Sequence, residues 1–280
     1  MDIFTHRGAW DIAPYLTGAK VYGDNFTSAQ LKRWYAEEEY AYYQLVQSHG
    51  IYDVEEGKCL CAALNLRLFG AAVAGRHFGV CLGFGSAGGE ELTQFAPQVE
   101  RFEIVEPADQ WHKTCLAGKP AHYCKPDSRG TLPYADNTVD LIVCLSTLHH
   151  VANVSYVLGE FARVLAPGGL LLLREPLSSM GDWRFPRPGL TPNERGFPLH
   201  WLVATLAGNG LSVTSRKLCV FRPLEVLFRR VIAQPYMSRS YVWLDALLSW
   251  LFGWNLQYHR TRWWHKIAPG AVGLVAVKTR

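Results

Sequence analysis

Val80-Cys-Leu-Gly-Phe-Gly-Ser-Ala-Gly-Gly-Glu-Glu-Leu92, followed by Phe102-Glu-Ile-Val-Glu-Pro107, decides the fold. The first run reads as a buried strand ending in a glycine turn, with a helix expected behind it, and the second as another strand with a carboxylate at its tip. Gly83 and Gly85 let the backbone turn off the strand and approach a ligand with no Cβ in the way, while Gly88 and Gly89 are expected to open the helix. Glu106 is placed to accept both hydroxyls of a ribose. Alone, the spacing Gly83-x-Gly85-x-x-Gly88 suits a nicotinamide or flavin dinucleotide as well as S-adenosylmethionine.

Further along, Leu132-Pro-Tyr-Ala-Asp-Asn-Thr-Val-Asp140 leads into a strand expected from Asp140 to Leu145, and then a polar lip, Ser146-Thr-Leu-His-His150. Val157, Leu158, Phe161, Val164 and Leu165 form a helical stripe, which Ala166-Pro-Gly-Gly169 should stop before a fifth strand begins at Leu170. From Gly79 to Pro176 this order of motifs resembles the class I S-adenosylmethionine-dependent methyltransferases. Their "LPF-x-D-x-x-FD" stands here as Leu132 to Asp140 and their "RVL-x-PGG" as Arg163 to Gly169.

The resemblance implies an α/β, Rossmann-like fold: a seven-stranded, mostly parallel sheet with helices on both faces, S-adenosylmethionine as cofactor, and a small-molecule methyl acceptor. Carried over by position, Gly83, Gly85 and Ser86 would face the methionine portion, Glu106 the ribose and Asp127 the adenine, with Ser146 in the same cofactor-binding set. The family usually has an acid two residues before the first glycine, where this chain has Cys81. Either Glu90 or Glu91 serves the cofactor's ammonium instead, or binding is weak. A degenerate fold acting as a binding or scaffold subunit stays open.

His149 and His150 follow the fourth strand, at the lip where open α/β sheets put their ligands. In similar enzymes that methylate sugar hydroxyls, a histidine here works with an acid at the end of the fifth strand, the place of Glu175. The expectation is His150 as base, with His149 beside it and Glu175 orienting it. In carbon methyltransferases of quinone biosynthesis the same pair caps a turn. O-methylation of a sugar on a glycan, glycolipid or natural product therefore stands beside C-methylation of an isoprenoid or quinone. No metal site is expected, because Cys59-Leu-Cys61 lacks a second ligand pair.

Four segments are expected: residues 1–76 as a helical lid, 77–221 as the core, 222–270 as an inserted cap, and 271–280 as the last strand. Thr27-Ser-Ala-Gln30 looks like a capping box that opens a helix running to His49. That helix reads either as an ordinary amphipathic helix packed on the core or, as in related methyltransferases, as a lid over cofactor and substrate, with Tyr22 and the Tyr-rich segment to Tyr43 as the contacts in the second case, and Glu37-Glu-Glu39 reads as a polar sector. The loop from Leu177 to Phe197 carries Trp183, Arg184, Arg187 and Arg195; the arginines are either solvated loop residues or suit an anionic group on the acceptor, guanidinium forks pairing with its oxygens. A helix from Pro198 to Leu206 comes after it. Leu211 to Phe221 and Ala271 to Thr279 read as strands, which the resemblance implies are the antiparallel pair at the sheet edge, and the 49 residues between them are too many for a hairpin loop.

At 280 residues the chain suits one α/β domain with additions. Its net charge of +4 is uneven: residues 216–280 carry +9 and the rest −5. The insert, with Tyr241-Val-Trp-Leu-Asp-Ala-Leu-Leu-Ser-Trp-Leu-Phe-Gly-Trp254 and flanking arginines, reads as a buried cap or a homo-oligomer interface. The competing reading is a face that lies on an anionic membrane or encloses an apolar tail of the acceptor. Nucleic-acid binding is not expected, since no reading module accompanies the basic residues. Seven cysteines, mostly in apolar runs, and no spanning apolar segment suggest a cytoplasmic protein, peripheral to the membrane if the second reading of the insert holds.

Overall fold

The structure, a computed structural model, describes residues 11–49, 59–228 and 230–279, with helix residues 42–49 described by backbone alone. The side chains of Tyr42 and Tyr43, and Arg229 of the insert, therefore lie outside the described residues. One eight-stranded sheet runs β3-β4-β2-β1-β5-β6-β8-β7. Its strands are β1 (Phe78–Phe84), β2 (Val99–Val105), β3 (Cys115–Leu116), β4 (Lys119–Cys124), β5 (Val139–Leu145), β6 (Leu165–Pro176), β7 (Leu211–Phe221) and β8 (Pro269–Lys278). The expected seven are present. The eighth is the two-residue β3, which pairs antiparallel to β4 through Cys115 and Leu116.

β4, β2, β1, β5 and β6 are parallel. β8 lies antiparallel between β6 and β7, as the sequence predicts for the edge pair. The period of two along β1 feeds both faces: Val80, Leu82 and Phe84 enter one core and Cys81 the other. On the first face lie α4 (Val154–Val164) and α5 (Leu199–Gly208), through Leu158, Phe161, Leu202 and Leu206. On the second lie α3 (Ala62–Val73), through Leu64 and Leu68, and Val242 of α7 (Arg239–Leu251). A short α1 (Ala13–Leu16) and α6 (Arg222–Phe228) complete the helices among the described residues, beside α2 (Ser28–His49).

Helix α2 begins where the capping box puts it. Gln30 Oε1 accepts from the Thr27 N–H at 2.9 Å, and Thr27 Oγ1 from the Gln30 N–H at 3.4 Å. The helix expected after the glycine turn is absent. Turns lead instead to a 3-10 stretch over Thr93–Gln98, with Pro97 inside it. Gly89 and Ala87 take positive φ, 81° and 45°, which no helix tolerates. Glu91 is drawn away to Arg174 at 2.8 Å. A second correction concerns Pro167-Gly-Gly169, which lies within β6 and not ahead of it. A third concerns the insert, which does not bury its tryptophans: Trp243, Trp250, Trp254 and Trp263 are all exposed.

Candidate functional site at the strand ends

The turn after β5 and the C-terminal end of β6 meet the loop from 177 to 197 and α2, beside the C-terminal ends of β1 and β2. Gly85 has φ +61°, and a Cβ there would collide with Thr147, whose hydroxyl donates to Gly85 O at 3.1 Å. Glycine is thus required where the first loop presses against the exit of β5. Ser146, at that exit, also sits in the left-handed region, φ 59°. A strained non-glycine residue at a strand lip fits a chain reversal that sets the course of the histidine turn.

Glu106 stands at the tip of β2, nearly buried. Its carboxylate accepts from Ala87 N at 3.0 Å and Ala108 N at 3.2 Å, and burial pushes its pKa up against these bonds. Two of four lone-pair sites are used, so the group can still take hydroxyl donors. Asp127 is exposed and braces its own loop, accepting from Arg129 N at 2.9 Å and Thr131 N at 2.7 Å. Cys81 is fully buried in the apolar core, where burial raises its thiol pKa far above the ordinary value, so it offers no charge to an ammonium. Of its two expected substitutes, Glu90 is 3.5 Å from Lys113 Nζ, and Glu91 is paired with Arg174. Arg174 also donates to Asn65 and to Ser146 Oγ, which makes Glu91, Arg174 and Ser146 one polar group at the lip. A carboxylate, a guanidinium and a hydroxyl fit an amino-acid end, and Glu106 fits a ribose, so the donor set suits S-adenosylmethionine.

The two histidines are held by different acids. His149 Nδ1 lies 2.9 Å from Glu175 Oε2, and Glu175 Oε1 accepts from Thr147 N and Leu148 N. His150 Nδ1 lies 2.9 Å from Glu38 Oε2, on α2. Glu175 thus sits on His149 and not on the expected His150. The two rings lie side by side, 4.2 Å between centroids, and each pairs with the acid on its own side, His149 with that of β6 and His150 with that of α2. Burial opposes a charge on His150, yet Glu38, Glu194 and Glu175 outweigh it and raise its pKa. Burial likewise opposes a charge on Glu38, but His150, Thr191 and Asn193 outweigh it and lower its pKa.

Glu38 is therefore not part of a solvated sector. It is buried, and takes Thr191 Oγ1 at 2.6 Å and Asn193 N at 2.8 Å as well as His150. Trp34 Nε1 donates to His150 O at 2.7 Å, and Tyr35 OH to Asn153 Oδ1 at 3.3 Å, so one face of α2 seals the site. Glu194, from the 177–197 loop, places Oε1 at 3.8 Å from His149 Nε2. His149, His150 and Glu194 each have a ligand atom within 4.8 Å of the others, an arrangement that could hold a cation. Sequence patterns single out neither Glu38 nor Glu194. Glu194 stands beside Arg195, which attracts notice as a guanidinium, and Glu38 is hidden by its acidic neighbours.

The loop residues expected to grip the acceptor are engaged elsewhere. Arg195 is fully buried and donates to the carbonyls of Tyr22, Leu148, His149 and Ala152. Arg187 donates to the carbonyls of Met180, Thr191, Pro192 and Glu194, and Arg184 pairs with Asp182 at 2.7 Å. Tyr22 and Trp183 are buried and stacked, 5.1 Å between centroids. They shape the loop because carbonyls turned inward need donors, which long guanidinium groups supply. Beside the loop, a hollow of about 680 Å³ is lined by Leu177, Pro198, Leu199, Val203, Leu256 and Tyr258, among others.

Residues 81–173 match the family model described as "Methyltransferase domain". The fold is similar to an S-adenosylmethionine-dependent methyltransferase from Mesorhizobium loti, 13% identical, covering 78% of this chain and 100% of that one with a TM-score of 0.51. It is also similar to a candidate methyltransferase of Bacillus halodurans C-125, at 17% identity, 76% and 98% coverage and a TM-score of 0.51. A [4+2]-cyclase, SpnF, has the same fold, at 18% identity, 78% and 80% coverage and a TM-score of 0.51. No curated protein matches the chain in sequence. Residues 81–173 thus form a methyltransferase domain, and the fold around them is the one found in S-adenosylmethionine-dependent methyltransferases.

Proposed function

We propose that this methyltransferase acts on an oxygen of a small molecule, a sugar hydroxyl on a glycan, glycolipid or glycosylated natural product, with His149 as the base. The observation that carries this reading is the His149–Glu175 pair, 2.9 Å at Nδ1, with Nε2 turned towards Glu194. A ring nitrogen fixed on a buried carboxylate sets the other nitrogen to accept a proton, the logic of an oriented general base.

The cofactor, when bound, supplies an electrophilic methyl group. Glu106 would hold its ribose, and Glu91 with Arg174 and Ser146 its amino-acid end. His149 Nε2 would take the hydroxyl proton as the acceptor oxygen bonds to the methyl carbon and the carbon–sulfur bond breaks, its electron pair leaving with the demethylated thioether, and Glu175 would stabilise the resulting imidazolium. Glu194, across a 3.8 Å gap from Nε2, suits a neighbouring hydroxyl of the same acceptor. Three carboxylates, Glu38, Glu175 and Glu194, favour a neutral polyhydroxylated acceptor over an anionic one, because the nearest guanidinium, Arg195, is used up on main-chain carbonyls. α2 excludes water, so positioning provides much of the rate. An apolar portion of the acceptor has room in the hollow beside Leu199 and Leu256.

The test is the single-turnover rate of His149→Ala and His150→Ala with saturating cofactor. The first should lose a factor of about 10² to 10⁴ with cofactor affinity intact, and the second much less. Equal, full rates in both would point to a carbon acceptor. Failure of the wild-type protein to bind S-adenosylmethionine at all would point to a scaffold.

A further inference from the structure

Helix α7 has its polarity inverted. Tyr241, Val242, Asp245, Ala246 and Ser249 face inward, and the Asp245 carboxylate caps the end of β7, accepting from Val220 N at 3.0 Å and Phe221 N at 2.6 Å. Past Arg239 and Ser240 in its first turn, the helix leaves Trp243, Leu244, Leu247, Trp250 and Leu251 on the outside, every one apolar. A surface helix ordinarily turns its polar side to water. Beyond the helix, Trp254 is 80% exposed and Trp263 71%, and Leu227 and Val231 are exposed as well. Monomeric proteins scatter such residues singly, so this density marks a face with a partner.

Charge selects the partner. Residues 222–268 hold seven Lys or Arg against Glu225 and Asp245, and Asp245 is buried. A second copy of the chain would set like charges against each other. Arg67 lies over the Trp243 ring at 5.5 Å, and Arg262 over Trp264 at 5.0 Å. Tryptophan interleaved with cations is the composition of a surface that sits among anionic lipid headgroups. No helix among the described residues is long and apolar enough to cross a membrane, so the contact would be peripheral.

Topology gives the face a use. β7 ends at Phe221 opposite Pro269, and β6 ends at Pro176 opposite Ala271, so the insert leaves the sheet at the end where β5 delivers His149. It is tied to the acceptor loop by Leu177 N to Gly270 O at 2.8 Å, Ser179 N to Tyr258 O at 2.7 Å, and Tyr258 OH to Gly196 O at 3.2 Å. We propose that residues 222–268 dock the enzyme on an anionic lipid bilayer. On the proposed function, docking brings the loop that carries Glu194 to acceptors anchored in that bilayer.

The test is co-sedimentation with vesicles of phosphatidylglycerol and phosphatidylcholine, comparing the wild type with Trp250→Ser/Trp254→Ser. Both side chains are exposed, and thermal unfolding checks that the variant keeps its fold. The wild type should bind anionic vesicles at least about tenfold more tightly than the variant, and lose binding as salt rises from about 0.1 to about 0.5 M. Calorimetric affinity for S-adenosylmethionine should be equal in the two proteins, which keeps this result separate from the catalytic reading. Absence of vesicle binding, equal binding by the variant, or a wild-type dimer that the substitutions dissolve would each overturn the proposal.

Discussion

Glu175, on β6, holds His149 Nδ1 at 2.9 Å from the far side of a turn whose N–H groups it also caps. One carboxylate thus fixes both the shape of the turn and the orientation of the ring. Glu175→Gln keeps the volume and an acceptor for the two N–H groups, but turns an amide towards Nδ1. Turnover should fall about a hundredfold or more through loss of ring orientation and charge stabilisation. Steady-state kinetics should show the loss in kcat, with cofactor affinity little changed.

The pair of His150 and Glu38 predicts a pH-dependent hold on α2. The folded His150 pKa is raised above 6.5, so its contribution is complete below about pH 6.5 and disappears as pH rises through the raised value. The folded Glu38 pKa is lowered below 4.5, so its contribution is complete above about pH 4.5 and disappears as pH falls through the lowered value. The pair is therefore strongest between these limits. In denaturant unfolding near pH 6, Glu38→Gln should cost about 2 kcal/mol, the scale of a charged hydrogen bond. The difference should narrow as pH rises past the folded pKa of His150. A constant difference from pH 6 to pH 9 would mean that the pair acts without charge.

Local rules read well where the chemistry is local. The cap at Thr27 and Gln30, the stripe on α4 and the bounds of β7 needed only neighbours in sequence. The glycine turn misled because its helix was lost to an ion pair with Arg174, 83 residues away. Which histidine takes Glu175 was also illegible, since the rival acid, Glu38, lies 112 residues from His150 and reaches it only through the packing of α2. The arginines of the 177–197 loop looked like ligand binders because sequence does not reveal which carbonyls turn inward. The exposed side of α7 was legible as composition but not as direction.

Arg195 should matter for stability, not for acceptor affinity. Replacing it by Met would take the guanidinium donors from four carbonyls, three of which (Leu148, His149 and Ala152) keep a main-chain N–H, and cost about 1 to 3 kcal/mol of unfolding free energy. Denaturant titration reads this directly. A stable variant with a raised acceptor KM would instead restore Arg195 as a ligand-binding group.

Glu106→Ala should weaken S-adenosylmethionine by roughly 2 to 4 kcal/mol, the scale of two charge-assisted hydrogen bonds. It also removes the partner of Ala87 N, so a further loss through loosening of the glycine loop is expected. Calorimetry with the cofactor and its demethylated product gives both numbers. Similar losses for the two ligands would locate the effect at the ribose and not at the transferred methyl group.

Methyl transfer to oxygen under control of His149 is open to direct test. The enzyme is incubated with methyl-labelled S-adenosylmethionine and a panel of neutral glycans and glycolipids, and the carbon chemical shift of the labelled product is recorded. Label is expected in an O-methyl group, formed by the wild type and lost with His149→Gln. Label in a C-methyl group, or an O-methyl product formed at the full rate by the His149 variant, would contradict it.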